Sequence, residues 1–343
     1  MTDRTLPDAP GPTKRASFLA RLGRGLVTGA ADDDPSGIAT YSQVGAQFGY
    51  GLTWTMLFSF PLMAVIQEIS ARIGSVTGFG IAQNLRRHYS PWILRGVVLL
   101  LVANVINLGA DLGAMGAALG LLIGGPELLY AALFGVVCIL LEVFISYARY
   151  AAVLKWATLS LFAYVAVVFA AHVPWGHALY STFVPVLVFD GAHAMAMVAI
   201  LGTTISPYLF FWQAGQEVEE QHRRHVKPLC VTPRRAGPEL SRIRIDTITG
   251  MGISNLVAIF IIFATAATLI GVALNFSSID PIRALYWSAV VNGVLSAPLM
   301  AVMMVIAVNP RIMGRLTLPW PMVVMGWLAT AVMALVTVGF FAI

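Results

Sequence analysis

Apolar residues run along this chain in blocks of about 20 or more, the length that crosses ~30 Å of hydrocarbon, with short polar stretches between them. Nine blocks are read: Gly25 to Gly49 (interrupted), Gly51 to Ser70, Trp92 to Ile123, Leu128 to Ser146, Ala152 to Ala171, Ala192 to Gly215, Thr247 to Asn275, Ala284 to Asn309 and Pro319 to Ile343. In lipid every backbone N–H and C=O must be satisfied internally, and blocks of this length do so as helices. The pattern therefore predicts an all-α, polytopic helical membrane protein with about nine spans.

Two blocks are broken in their middles. The first reads "GAADDDPSGIATYSQ" over 29–43, and the sixth reads "AILGTTISPYLFFWQAGQEVEE" over 199–220. Each has a run of small residues, an N-cap residue type, and then a proline suited to the first position of a restarted helix. The residue before proline is pushed out of helical dihedrals, so each block is expected to form two half-helices. Backbone freed in hydrocarbon costs several kcal/mol unless it faces protein or a water-filled cavity, so two such breaks point to a site at the membrane midplane.

Composition agrees: 58% of the 343 residues are apolar and 11% charged. The net charge of +5 does not imply nucleic acid, because the basic residues sort by loop. With the N-terminus inside, 20 of the 21 Lys and Arg fall on the inside and only Arg283 outside, as expected of cytoplasmic loops. This places the chain in a bacterial-type plasma membrane with a cytoplasmic N-terminus. Residues 1–23 are polar and proline-rich with no apolar h-region, which reads as a disordered tail without a cleaved signal peptide. Glu217 to Asp246 reads as a long cytoplasmic loop. "GSVTGFGIAQNLRRHYSP" reads as a Gly-rich turn and a short amphipathic surface helix. Cys138 and Cys230 form no disulfide framework or zinc spacing. No catalytic constellation or cofactor motif is present, so no enzyme is expected.

A carboxylate at the bilayer centre costs about 2.5 to 3.5 kcal/mol, so it marks function by default. Asp34 sits at the first break, and the carbonyls of Ala30 and Ala31 lose their helical partners beside it, at the negative end of a half-helix. A carboxylate with free carbonyls suits a hard cation. The bland alternative is that Asp34 only caps the second half-helix. On the sixth span Ser206 and the carbonyls near Thr203 and Thr204 would supply facing oxygens, although a Ser before Pro is commonly just a cap. Pathway candidates are Asp33, Asp111, Gln213 with Glu217 one turn on, and Asn292. Asn104, Asn107 and Asp111 form one polar stripe, Ser288, Asn292 and Ser296 another; either a hydrated path or helix-to-helix bonding explains them. Glu68 is placed at headgroup level, and Glu142 with Arg149 as a structural pair.

Asp34-Pro35-Ser36-Gly37 resembles the Asp-Pro-Gly-Asn motif of the natural resistance-associated macrophage protein (NRAMP) divalent-metal transporters, and Ser206-Pro207-Tyr208-Leu209 stands at their Met-Pro-His-Asn motif. The resemblance implies a leucine-transporter-like inverted repeat, with a first repeat over 24–173, a shortened second repeat over 191–309, a final span over 319–343, and a divalent metal ion as substrate. It also implies losses: the family's metal-binding Asn is Gly37, its thioether Met is Ser206, its His is Tyr208, and its second acidic residue in the third span is Ala114. Without soft sulfur the site favours hard ions, Mg before Mn, resembling the magnesium-transporting branch. "AATLIGVALNF" joins the end of the seventh span to the end of what the family has as its ninth, so two scaffold helices of the second repeat are expected to be missing near Leu269. Two other readings stay open: a truncated, transport-inactive homologue, and a sodium-coupled amino-acid carrier binding a carboxylate at Pro207. Three acidic residues at the first break oppose the last. Oligomeric state is not legible.

Overall fold

The computed structural model describes residues 33–145, 158–171, 173–268 and 280–342. Ala30, Ala31, the 1–23 segment, Arg149 and the junction near Leu269 lie outside the described residues. Among the described residues all regular structure is helical. Helix α1 (Pro35–Phe48) is the second half of the first span, followed by α2 (Trp54–Thr77), a short α3 (Ile81–His88), α4 (Pro91–Ile123) and α5 (Glu127–Phe144). Then come α6 (Phe162–Ala170), α7 (Trp175–Phe183), α8 (Gly191–Thr204), α9 (Pro207–Arg223) and α10 (Ala236–Ala267). The chain closes with α11 (Asp280–Val308), the single turn α12 (Pro310–Met313) and α13 (Trp320–Ala342). Seven stretches are long and apolar enough to cross a membrane, with α8 and α9 counted together. The first and fifth predicted spans are described only in part, as α1 and α6, which accounts for the difference from nine.

One element differs from the sequence reading. The polar stretch from Glu217 to Asp246 is mostly helix, because α9 runs to Arg223 and α10 begins at Ala236. Many of its charges pair with one another: Arg242 lies 2.7 Å from Glu217 and 2.8 Å from Glu239, and Glu220 lies 2.5 Å from both Arg223 and Arg224, which stay exposed. Glu217 is only 2% exposed, so it belongs to a buried pair and not to a path lining. Glu68, expected at headgroup level, is likewise buried and holds Arg72 at 2.6 Å.

The true connector, 224–235, closes the end of α2. The last carbonyls of a helix lack intrahelical donors. Here the Leu229 amide donates to Ser75 O at 3.1 Å and the Cys230 amide to Val76 O at 3.1 Å, while Gln221 Nε2 reaches Ser75 O at 2.6 Å. Gly78 adopts left-handed φ +72 as α2 ends, a conformation that costs glycine least. The expected surface helix is α3, burying Ile81, Asn84 and Leu85 and exposing Arg86 and Arg87.

The core is built on α2. Met63, Ile66, Ile69 and Ile73 pack with Leu201, Phe210, Met300 and Met303, and a second cluster joins Tyr41 and Val44 of α1 to Ile200, Val257 and Ile261. Thus α1, α2, α8 with α9, α10 and α11 surround both breaks. By contrast α5 has no buried residue and packs chiefly on α4. At the crossing of α8 and α11, Gly202 and Gly293 let the backbones touch: a Cβ on Gly202 would run into Ala289 O and the Gly293 amide.

Two outcomes follow. Gly202→Ala forces rigid backbones apart and should cost about 1–3 kcal/mol, read as a lower unfolding temperature in detergent; a parent-like temperature would contradict this crossing. Arg242→Ala removes the cation from Glu217, Glu239 and Asp246 and should cost roughly 3–5 kcal/mol, with part of the loss recovered by adding Glu217→Gln.

Candidate metal site

Asp34 has non-helical dihedrals (φ −74, ψ 173), and Pro35 follows at the first helical position of α1. Proline there lacks an N–H that would have no helical acceptor, so the helix starts without loss. The two carboxylate oxygens of Asp34 then do different things. Oδ1 accepts from the Gly37 amide at 2.7 Å, capping α1. Oδ2 accepts from the Tyr208 hydroxyl at 2.5 Å, across to the first turn of α9. One carboxylate therefore joins the two broken spans, and the cap is only half of its role.

The second break is arranged differently from expectation. α8 ends at Thr204 and α9 restarts at Pro207, with Ile205 at φ −114, ψ 52. Ser206 does not cap α9 with its side chain. Its hydroxyl turns back to the carbonyls of Gly202 at 2.8 Å and Thr203 at 2.6 Å, so it works on α8, the preceding half-helix. The buried carbonyl of Ile205, at the break, accepts from the Ser296 hydroxyl of α11 at 2.8 Å. Ser206 and Thr203 are 1% and 2% exposed. Of the oxygens assigned to a cation, those of Ser206 and Thr203 already bond each other, so a cation there would displace an existing hydrogen bond.

Asp111 of α4 comes to the first break. It lies within electrostatic reach of Asp34 and of the Ser36 amide. Asn107 orients it, donating from Nδ2 to Asp111 Oδ2 at 3.0 Å, while Asn107 Oδ1 accepts from Ser288 at 2.5 Å. The two polar stripes thus meet each other across α4 and α11. This favours the bonding explanation for Asn107 and Ser288 and leaves Asp111 held near Asp34. Asp33 is buried at 6% exposure next to Asp34.

A cavity of about 520 Å³ lies between α4 and α9 in the half of the molecule that carries Arg86, Arg87 and Arg95. Tyr208 forms part of its wall, with Asn104, Trp212 and Asn292. Its lining extends from Tyr208 at the site to Ala82 of α3, the helix that carries Arg86 and Arg87. Asn292 faces this cavity, whereas Gln213 is 2% exposed and buried elsewhere on α9. Among the described residues no three His, Cys, Asp or Glu side chains converge as metal ligands. A cation held here would draw on Asp34, Asp111, hydroxyl or carbonyl oxygens, and water, which is chemistry for hard ions that keep part of their hydration shell. Sequence reasoning missed Tyr208 as the direct partner of Asp34. The signal was its place one residue after the second proline, the position facing the first break.

The sequence profile of the Nramp family, natural resistance-associated macrophage protein-like, matches residues 25–275 and 264–342. A curated relative is the divalent metal cation transporter MntH of Verminephrobacter eiseniae, 29% identical over 215 residues, 60% of this chain. The chain covers 48% of that protein, about half its length. Crystal structures of the Eremococcus coleocola manganese transporter share the fold. One, in complex with an aromatic bis-isothiourea substituted compound, has a TM-score of 0.73 at 15% identity, over 95% of this chain and 87% of that one. A mutant of the same transporter has a TM-score of 0.70 at 16% identity over the same shares. With the profile matched over most of its length and this fold around two broken spans, the chain belongs to the natural resistance-associated macrophage protein-like family.

Proposed function

We propose that this chain moves a divalent metal cation across the bilayer through a midplane site between the two broken spans, by alternating access. The observation that carries the reading is the single carboxylate of Asp34, which caps α1 with one oxygen and reaches Tyr208 of the other broken span with the second. An arriving cation takes the place of the Tyr208 hydroxyl on Oδ2 while the cap stays closed. Relatives named as a divalent metal cation transporter and a manganese transporter support the substrate class.

Ion rank follows donor chemistry. Every candidate ligand is an oxygen, and Ser206 stands where a thioether would favour softer metals, so Mg ranks before Mn. The substrate ligands are Asp34, with Ala31, Ser206 and Thr203 offering backbone or hydroxyl oxygens. Asp33, Asp111 and Asn292 are proposed along the path, while Gln213, expected there from the sequence, does not line the cavity beside the site. The N-terminus is cytoplasmic, which puts the arginine-rich surface and the 520 Å³ cavity on the inner side.

The second repeat is proposed to lack two scaffold spans near Leu269. The two pieces of the family match meet at 264–275, where the sequence puts that loss, and α5 has no buried residue. The same observations favour a second reading, a homologue that binds the cation without moving it, since rocking one bundle needs a scaffold to rock against.

Asp34→Asn separates the two roles of the side chain. Its Oδ1 still caps α1, so the unfolding temperature should stay near the parent's, whereas Asp34→Ala loses a cap of about 1 kcal/mol. In proteoliposomes with a metal-sensitive dye, both variants should bring Mg and Mn influx to background; influx retained by Asp34→Asn would end the proposal. Metal binding by the parent without influx would select the second reading. Tyr208→Phe removes the competitor for Oδ2 and should tighten cation binding by roughly tenfold, the effect of one hydrogen bond to a charged group. Weaker binding would make the phenol oxygen a ligand.

A further inference from the structure

Away from both breaks, α2, α10 and α13 leave a crevice of about 360 Å³ toward their arginine-rich ends. Its wall is apolar: Phe60, Pro61 and Val65 of α2, Ile248 of α10, and Met322 and Met325 of α13. Its rim carries Arg72 and Arg244. Phe60 and Arg72 stand ~18 Å apart along α2 at 1.5 Å per residue, about the depth of one ~15 Å hydrocarbon leaflet. Over the height of a leaflet the lining passes from apolar residues, Phe60 to Val65, to the pair of Glu68 and Arg72 and to Arg244, which matches a phospholipid in both length and polarity.

The charges on the rim decide which phospholipid. Arg72 is held by Glu68 through Nε at 3.0 Å and Nη2 at 2.6 Å, a pair with no net charge. Arg244 is exposed and has no ion pair among the described residues. The other charges at this end of α10, Arg242 and Asp246, belong to the network with Glu217 and Glu239, on the helix face roughly 200° from that of Arg244. The rim therefore keeps one uncompensated cation above an apolar slot. Arginine beside a transmembrane crevice favours anionic headgroups, at about 1 kcal/mol for each cation near the surface. A zwitterionic headgroup also offers its phosphate to Arg244, but its own ammonium offsets that charge, so it gains less than an anionic one.

We propose that this crevice seats a glycerophospholipid with an anionic headgroup, its phosphate on Arg244 and one acyl chain along Val65, Ile248 and Met325. The lipid fills the gap between the final span and two helices of the core that carries the broken spans.

The test uses the full chain in detergent, titrated with phosphatidylglycerol or phosphatidylcholine and read by native mass spectrometry. One phosphatidylglycerol should be retained more tightly than phosphatidylcholine. Arg244→Ala, at an exposed position that leaves the packing intact, should weaken phosphatidylglycerol by about fivefold, to the phosphatidylcholine level. Ile248→Trp, which fills the slot from a partly exposed position, should weaken both lipids. Equal retention of the two lipids by the parent, an Arg244→Ala variant that binds like the parent, or displacement of the lipid by glycerophosphate without acyl chains would overturn the assignment.

Discussion

A helix that stops inside a membrane leaves carbonyls and amides that hydrocarbon cannot satisfy, and the middle of this protein is organised around meeting that demand twice. At the first break Asp34 accepts from the Gly37 amide. At the second, Ser206 returns a hydrogen to the carbonyls of α8 and Ser296 reaches over from α11 to the carbonyl of Ile205. The solutions differ in kind. The first uses a charged group with an oxygen to spare, and the second uses neutral hydroxyls that are fully engaged. Under the proposed function, it is therefore the first break that supplies the negative charge, turning from a phenol to a cation.

The same rule, that buried polar groups must find partners, explains the rest of the polar interior. Asn107 and Ser288 bond each other and hold Asp111 near Asp34. At the arginine-rich end, Arg242 gathers Glu217, Glu239 and Asp246, tying α9 to α10. The connector beyond α9 gives its amides to the end of α2. Ser70 donates to Phe210 O at 2.5 Å, so α2 and α9 are fixed to each other along their length. The half-helix that carries Tyr208 is thus anchored to α2 at several depths.

Packing is uneven around this centre. α8 and α9 are 78% buried over their apolar window and α2 67%, against 12% for α4 and none for α5. In lipid, exposed leucine and valine carry no penalty, so α5 can stand outside without strain on the fold. The packing of α5 is confined chiefly to α4, away from the helices that surround the breaks.

How much of this was legible without coordinates depends on whether the chemistry was local. The spans, the two prolines that restart helices, the caps, and the crowding of Arg and Lys on one side are written into consecutive residues, because helix length, proline sterics and charge near a membrane act over a few positions. The family motif around Asp34 was readable for the same reason. The stretch from Glu217 to Asp246 misled, since charge reads as exposure until one sees that Arg242 and Glu217 lie 2.7 Å apart, 25 residues removed in sequence. Ser206 looked like a forward cap because composition cannot tell which way a hydroxyl turns. That Tyr208, 174 residues from Asp34, holds its second oxygen was decided only by the tertiary structure, for a hydrogen bond between two interrupted helices exists nowhere but where the fold brings them together.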